Sequence, residues 1–105
     1  MDNRSRLLKP ICLTACLCAP FVSHATDLQN AVFATPCAGC HGPNGISPGN
    51  IPSINHLSKN AIVFAMKAFK NDKRPGTVMN RIAKGYSDKE ISLMAEYFEN
   101  INKKD

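Results

Sequence analysis

The sequence lacks an uncharged apolar run long enough to cross a membrane. Its longest such run extends from Pro10 to Val22 and has 13 residues, whereas a membrane-spanning helix needs about 20. Basic residues precede this run, and residues 23–25 (SHA) place small residues where a cleavage site requires them. We therefore predict a cleavable signal peptide over residues 1–25 and a domain over residues 26–105, with no transmembrane segment in the mature chain.

The amino-terminal segment also lacks an adjacent pair of arginines. Because Arg4 and Arg6 are separated by a serine, the general secretory route and a periplasmic location are expected rather than twin-arginine export. The residues before Cys16 resemble a lipobox, but the apolar stretch is very short, so a lipid anchor is the weaker alternative. Pro10, Pro20 and three cysteines in the run disfavour a buried amino-terminal helix.

Cysteine is scarce in the predicted mature part. Cys12, Cys16 and Cys18 would leave with the signal peptide, so that only Cys37 and Cys40 remain. Two cysteines allow at most one disulfide, across a very short loop. A domain of 80 residues has a modest core and usually needs a disulfide, a metal or a bound cofactor for stability. A large apolar cofactor would meet that need better than the disulfide.

No alternation of apolar and polar residues indicates a strand, whereas helical spacing is clear. We predict helices over about residues 27–35 and 59–71, a short one from Thr77 to Lys84, and a last one that begins with the capping box at residues 87–90 (SDKE). The apolar faces of the three longer helices contain Leu28, Ala31 and Val32; Ile62, Met66 and Phe69; and Ile91, Met94, Ala95, Phe98 and Ile101.

A loop is predicted between the first two of these helices. Residues 42–55 contain three prolines, three glycines and three asparagines, and a loop of this length in a small domain is usually functional or disordered. The sequence thus predicts an all-α domain of three to four helices with an extended loop around a bound group.

The most specific functional motif of the sequence is residues 37–41 (CAGCH). Side chains three positions apart share one side of a helical turn, so the sulfurs of Cys37 and Cys40 can reach one flat object. Cys-x-x-Cys-His is the attachment motif of haem c, in which both cysteines form thioethers and His41 binds the iron. A thiol redox pair or a disulfide stays open, whereas a zinc site would need more ligands than His56, the only other mature histidine, can add.

An iron bound by His41 has a sixth position, for which Met79 is the best candidate. It follows the turn at residues 74–76 and precedes a helix, in a segment that could fold back over a haem. Met66 and Met94 lie on apolar helix faces and are expected in the core. His56 is the rival ligand, although a loop histidine more often faces solvent.

Three segments together resemble class I cytochromes c, over nearly the whole predicted mature chain. Residues 37–45 (CAGCHGPNG) resemble the haem-binding segment, residues 51–54 (IPSI) the loop proline segment, and residues 79–91 (MNRIAKGYSDKEI) the stretch from the axial methionine into the last helix. The resemblance implies a class I cytochrome c fold, in which the first and last helices cross and one haem is enclosed except at one edge.

The same resemblance assigns roles to individual residues. Met79 stands where the family places its sixth ligand, and the Pro52 carbonyl would accept the ring N–H of His41 and fix its orientation. With both ligands bound, no iron position is open to substrate, so the chain would carry single electrons. The alternative is a haem-based gas-binding or sensor protein with a displaceable Met79, which carbon monoxide binding by the reduced protein would reveal.

Within the family, residues 81–88 (RIAKGYSD) most resemble the cytochrome subunits of flavocytochrome c sulfide dehydrogenases. Such subunits accept electrons from a flavoprotein subunit that oxidises sulfide, and are themselves not catalytic. The chain contains one haem motif, whereas many of those subunits have two haem domains. The resemblance therefore implies a periplasmic monohaem carrier, free or part of such an enzyme.

A basic cluster is formed by Lys67, Lys70, Lys73 and Arg74. It is either a solvated helix face or a patch that steers acidic redox partners towards the haem edge. Nucleic-acid binding is not expected, because the chain is predicted to be exported and aromatic residues do not interleave with the cluster.

Overall fold

The computed structural model describes residues 22–104 of the 105-residue chain. The predicted signal peptide therefore lies outside the described residues except for its last four positions, and so does the lipobox at Cys16. Among the described residues, no helix is both long and apolar enough to cross a membrane.

The described residues form helices joined by turns and loops. The prediction of an all-α fold is confirmed, since residues 22–104 contain no strand. Short 3₁₀ turns cover Thr35–Cys37 and Pro43–Gly45. The helices are α1 (Val22–Ala34), α2 (Ala38–His41), α3 (Lys59–Lys70), α4 (Met79–Lys84) and α5 (Asp88–Asn102).

Two serine side chains explain where the long helices α3 and α5 begin. Ser58 Oγ accepts a hydrogen bond from the backbone N–H of Ala61 at 3.2 Å. Ser87 and Glu90 form the predicted capping box, with Ser87 N–H donating to Glu90 Oε2 at 2.7 Å and Glu90 N–H donating to Ser87 Oγ at 3.2 Å. Each bond satisfies an amide that the first helical turn leaves without an intrahelical partner.

The core lies around α5, which packs against both α1 and α3. Met66 and Met94 are buried, as their positions on the apolar faces predict. α4 packs against α3 and contributes one buried side chain. The buried apolar residues are Ala34, Ile62, Met66, Ala83, Ile91, Met94, Ala95 and Phe98.

The predicted apolar face of α1 is not the face that the helix buries. Leu28 and Val32 are exposed, at 69% and 61% of their full accessibility, whereas Asn30 and Ala34 are buried. Asn30 Nδ2 donates a long hydrogen bond, 3.4 Å, to Glu96 of α5. The physical reason is that α1 packs on the core through Ala34, the half-buried Phe33 and the polar contact of Asn30, which the apolar periodicity of α1 alone does not reveal.

Candidate functional site

The motif CAGCH lies on a continuous helical stretch directly after α1. Pro36 occupies the start of the 3₁₀ turn at residues 35–37, where its missing N–H costs no hydrogen bond, and α2 follows without a break. Cys37 is half-buried against the core and Cys40 is exposed, and both thiols are free. The two sulfurs therefore lie about one helical turn apart, as a group that reacts with both of them requires.

The ring of His41 is held by the loop that follows it. His41 Nδ1 lies 2.6 Å from the carbonyl oxygen of Pro52. Because a carbonyl oxygen only accepts, Nδ1 carries the proton and the neutral ring has its lone pair on Nε2. This arrangement is typical of a metal-binding histidine, in which the second ring nitrogen donates to a carbonyl group.

Two glycines shape the loop that brings Pro52 to His41. Gly42 and Gly45 both have positive φ, +84° and +75°, which side chains rarely adopt. A Cβ on Gly42 would lie 1.8 Å from the carbonyl oxygen of Ile46. The Gly45 carbonyl accepts from the backbone N–H of Ile54 at 2.8 Å and so joins the two ends of the loop. The backbone N–H of Ser47 donates to Ser53 Oγ at 2.8 Å and closes the loop beside Pro52.

Met79 begins α4 and is half-buried. Its side chain packs against the same core cluster as Cys37 of the motif. The structure thus brings both predicted iron-binding segments to one core. The rival ligand His56 is exposed, in the turn before α3.

Exposed branched apolar side chains flank the predicted ligands. Ile46 and Ile51, exposed by 54% and 43%, lie in the loop that contains Pro52. Val78 and Ile82, exposed by 54% and 41%, lie immediately before Met79 and one turn after it. The sequence analysis does not assign these four residues to the site. Isoleucines in a loop rich in proline and glycine could nevertheless have indicated an apolar binding surface. The four residues add exposed apolar surface to the two segments that contain Pro52 and Met79, so the residues present fit a large apolar group such as haem.

The environment of the cysteines does not favour thiol chemistry. Burial raises the pKa of the Cys37 thiol, whereas reactive thiols in redox pairs have a lowered pKa. In residues 22–104, no three side chains of histidine, cysteine, aspartate or glutamate converge as they would to hold a metal ion.

The predicted basic cluster has partners within the fold. Lys67 and Lys70 both pair with Asp88 at the start of α5, at 3.1 and 3.2 Å. Lys70 Nζ also donates to the Tyr86 carbonyl oxygen at 2.7 Å. The guanidinium of Arg74 lies 4.8 Å from the centroid of the Phe69 ring, in a cation–π contact. Three of the four cations therefore help to hold α3 to neighbouring segments.

Comparison with known proteins identifies the family of the chain. The model of the cytochrome c family matches residues 30–102. The chain is 47% identical to the cytochrome subunit of sulfide dehydrogenase from Chlorobaculum tepidum, over 81% of this chain and 77% of that protein. It is 33% identical to the thiosulfate dehydrogenase electron acceptor from Stutzerimonas stutzeri, over 66% of this chain and 34% of that protein. The chain therefore belongs to the cytochrome c family, and it is an electron-carrying cytochrome with covalently attached haem c.

Proposed function

We propose that this cytochrome is a periplasmic carrier of single electrons that binds one haem. Cys37 and Cys40 would hold the haem through thioether bonds, and His41 and Met79 would bind its iron. The observation that carries the proposal is the Cys-x-x-Cys-His turn, with His41 Nδ1 held 2.6 Å from the Pro52 carbonyl oxygen. This hydrogen bond leaves Nε2 as the nitrogen that faces a bound metal.

When bound, haem supplies an iron that exchanges one electron between its ferric and ferrous states. The residues around it set the conditions for that exchange. Pro52 holds His41 in one tautomer and one orientation, so little rearrangement of the ring accompanies a change of iron charge. Ile46, Ile51 and Val78 give the loop and the start of α4 an exposed apolar surface that suits a haem. A thioether ligand such as Met79 would favour the reduced state of its iron.

The electron donor that we propose is a flavoprotein that oxidises sulfide. Support comes from the Chlorobaculum tepidum relative, which is named as a subunit of sulfide dehydrogenase, and from residues 81–88, whose sequence resembles such subunits. The second relative is named as the electron acceptor of thiosulfate dehydrogenase. Both names associate relatives of this chain with dehydrogenases of reduced sulfur compounds, and the second names its protein as an electron acceptor.

Mass spectrometry of protein made with haem-maturation machinery tests the attachment. We expect an intact mass higher by one haem, and a single tryptic peptide that contains Cys37 and Cys40 with the haem attached. Cys37→Ser and Cys40→Ser should each leave one thioether, and the double variant should carry no covalent haem. A covalent haem in the double variant would contradict the assignment, as would two haems in the wild type.

Electron transfer from a defined donor tests the partner. A flavoprotein that oxidises sulfide, supplied with sulfide, should reduce this cytochrome much faster than sulfide alone does. In the control, thiosulfate replaces sulfide, and the flavoprotein should then not reduce the cytochrome. Equal reduction rates with and without the flavoprotein would contradict the proposed partner while leaving the haem ligands untouched.

A further inference from the structure

We propose that Asn80 is the positioning residue that holds Met79 in place. Its Nδ2 lies within hydrogen-bond distance of three acceptors before α4: the carbonyl oxygens of Phe69 at 3.1 Å and Arg74 at 2.8 Å, and Asp72 Oδ1 at 3.3 Å. This inference rests on the proposed ligation of iron by Met79, which directly precedes Asn80 in the chain.

The segment before Met79 has few other attachments. Its first part folds back on α3, with the backbone N–H of Lys73 donating to the Ala68 carbonyl oxygen at 2.8 Å. Residues 75–77 then make no hydrogen bond to any residue in the described part of the chain. All of residues 71–78 are exposed. The bond from Asn80 to the Arg74 carbonyl therefore bridges the stretch that has no hydrogen bonds of its own.

The connection between α3 and α4 also packs against Asn80. A Cβ on Gly76 would lie 3.0 Å from Phe69 Cε1 and 3.1 Å from Asn80 Oδ1, which is closer than side chains normally approach. At the other end of α4, Lys84 pairs with Asp72 at 2.6 Å. Asp72 itself has a positive φ of 55°. Asn80 thus stands where the end of α3, the connection and the first turn of α4 meet.

These contacts couple the position of Met79 to the side chain of Asn80. Met79 begins α4, and in this proposal it leaves the iron together with the first turn of that helix, which breaks the hydrogen bonds of Asn80. The bonds therefore lower the population of the state in which the sixth position is open. An external ligand binds only to that state, so its apparent affinity reports the open fraction.

Carbon monoxide binding to the reduced, haem-loaded protein measures that fraction. Asn80→Ala removes the amide, and Asn80→Asp keeps its shape but removes the donor. Since a typical hydrogen bond contributes about 1 kcal/mol, losing several should raise the apparent affinity for carbon monoxide by at least about tenfold. Asn80→Gln, which displaces the amide by one methylene, is a milder variant that should raise the affinity by less.

Asn71→Ala is the matched control. Asn71 Nδ2 donates to the Lys67 carbonyl oxygen at 2.9 Å, so this variant also removes an asparagine amide from the same surface. Its acceptor lies within α3 and does not connect to α4. We expect Asn71→Ala to bind carbon monoxide like the wild type, even if its thermal unfolding midpoint falls as much as that of Asn80→Ala.

Two outcomes separate this inference from the proposed ligation. If Asn80→Ala, Asn80→Asp and Asn80→Gln bind carbon monoxide no better than Asn71→Ala while Met79→Ala binds it tightly, Met79 is the ligand and the role of Asn80 is wrong. If the wild type already binds carbon monoxide as tightly as Met79→Ala, the ligation by Met79 fails, and the inference about Asn80 fails with it.

Discussion

His41 Nδ1 and the Pro52 carbonyl oxygen lie 2.6 Å apart although eleven positions separate the two residues in the chain. The stretch between them is held by hydrogen bonds to the residues that follow Pro52: Ile54 N–H donates to the Gly45 carbonyl, and Ser47 N–H donates to Ser53 Oγ. The loop therefore acts as part of the site, because it fixes the tautomer and the direction of the imidazole.

The turn at Gly42 should be the most sensitive backbone position of the loop. A Cβ there would lie 1.8 Å from the Ile46 carbonyl oxygen, and the residue has a φ of +84°. Clash and backbone strain together should make Gly42→Ala less stable by roughly 3 kcal/mol in chemical denaturation of the haem-loaded protein. Gly49→Ala in the same loop is the control, because a Cβ there would meet no atom within 4 Å. Equal losses for the two variants would contradict this account.

The buried amide of Asn30 should not be needed for stability. Asn30 is 1% exposed, its Oδ1 has no hydrogen-bond partner among the described residues, and its bond to Glu96 is long. Asn30→Leu, which has a similar shape, should therefore be within about 1 kcal/mol of the wild type or more stable. Asn30→Asp should cost roughly 3 kcal/mol, because it buries a charge beside Glu96. A large loss of unfolding free energy in Asn30→Leu would show that the amide contributes to stability.

The ion pairs of Asp88 should make the free energy of unfolding fall at acidic pH. Hydrogen bonds from Lys67, and then from Lys70, lower the pKa of Asp88 below its ordinary value of 3.8. A carboxylate with a lowered pKa contributes stability at neutral pH, and the contribution is lost as the pH falls through the ordinary value towards the folded one. The pKa values of Asp72, Glu90, Glu96 and Glu99 are lowered in the same direction.

Asp88→Asn separates this carboxylate from the others. The unfolding free energy of the variant should fall less steeply than that of the wild type between about pH 5 and pH 3. Replacing both lysines, Lys67→Gln with Lys70→Gln, should reduce the slope in the same way. Parallel curves for the wild type and Asp88→Asn would rule out a contribution from these pairs.

Local signals allowed much of the fold to be predicted. The apolar spacing predicts the helix at residues 59–70 to within one residue at its end. The start of α5 follows directly from the capping box, because caps involve residues that are close in sequence. The buried face of α1 could not be predicted, since it depends on Glu96, which lies 66 positions away.

The candidate site, like the fold, could be predicted only in part from the sequence. The motif and the candidate ligands could be recognised from spacing and resemblance. The contacts of Asn80 could not, because its acceptors come together only when the connection after α3 folds back. Ile46 and Ile51 can be read from the sequence, but only the structure shows that their side chains are exposed.

The ligation of iron by His41 and Met79 is the central claim, and carbon monoxide tests it most directly. Visible spectra of the reduced, haem-loaded wild type and Met79→Ala should be recorded with and without the gas, and Met66→Ala serves as the control for loss of a core methionine. The account predicts that the wild type and Met66→Ala keep unchanged low-spin spectra, whereas Met79→Ala binds carbon monoxide. A wild type that binds the gas readily would contradict the account and favour a gas-binding or sensor function.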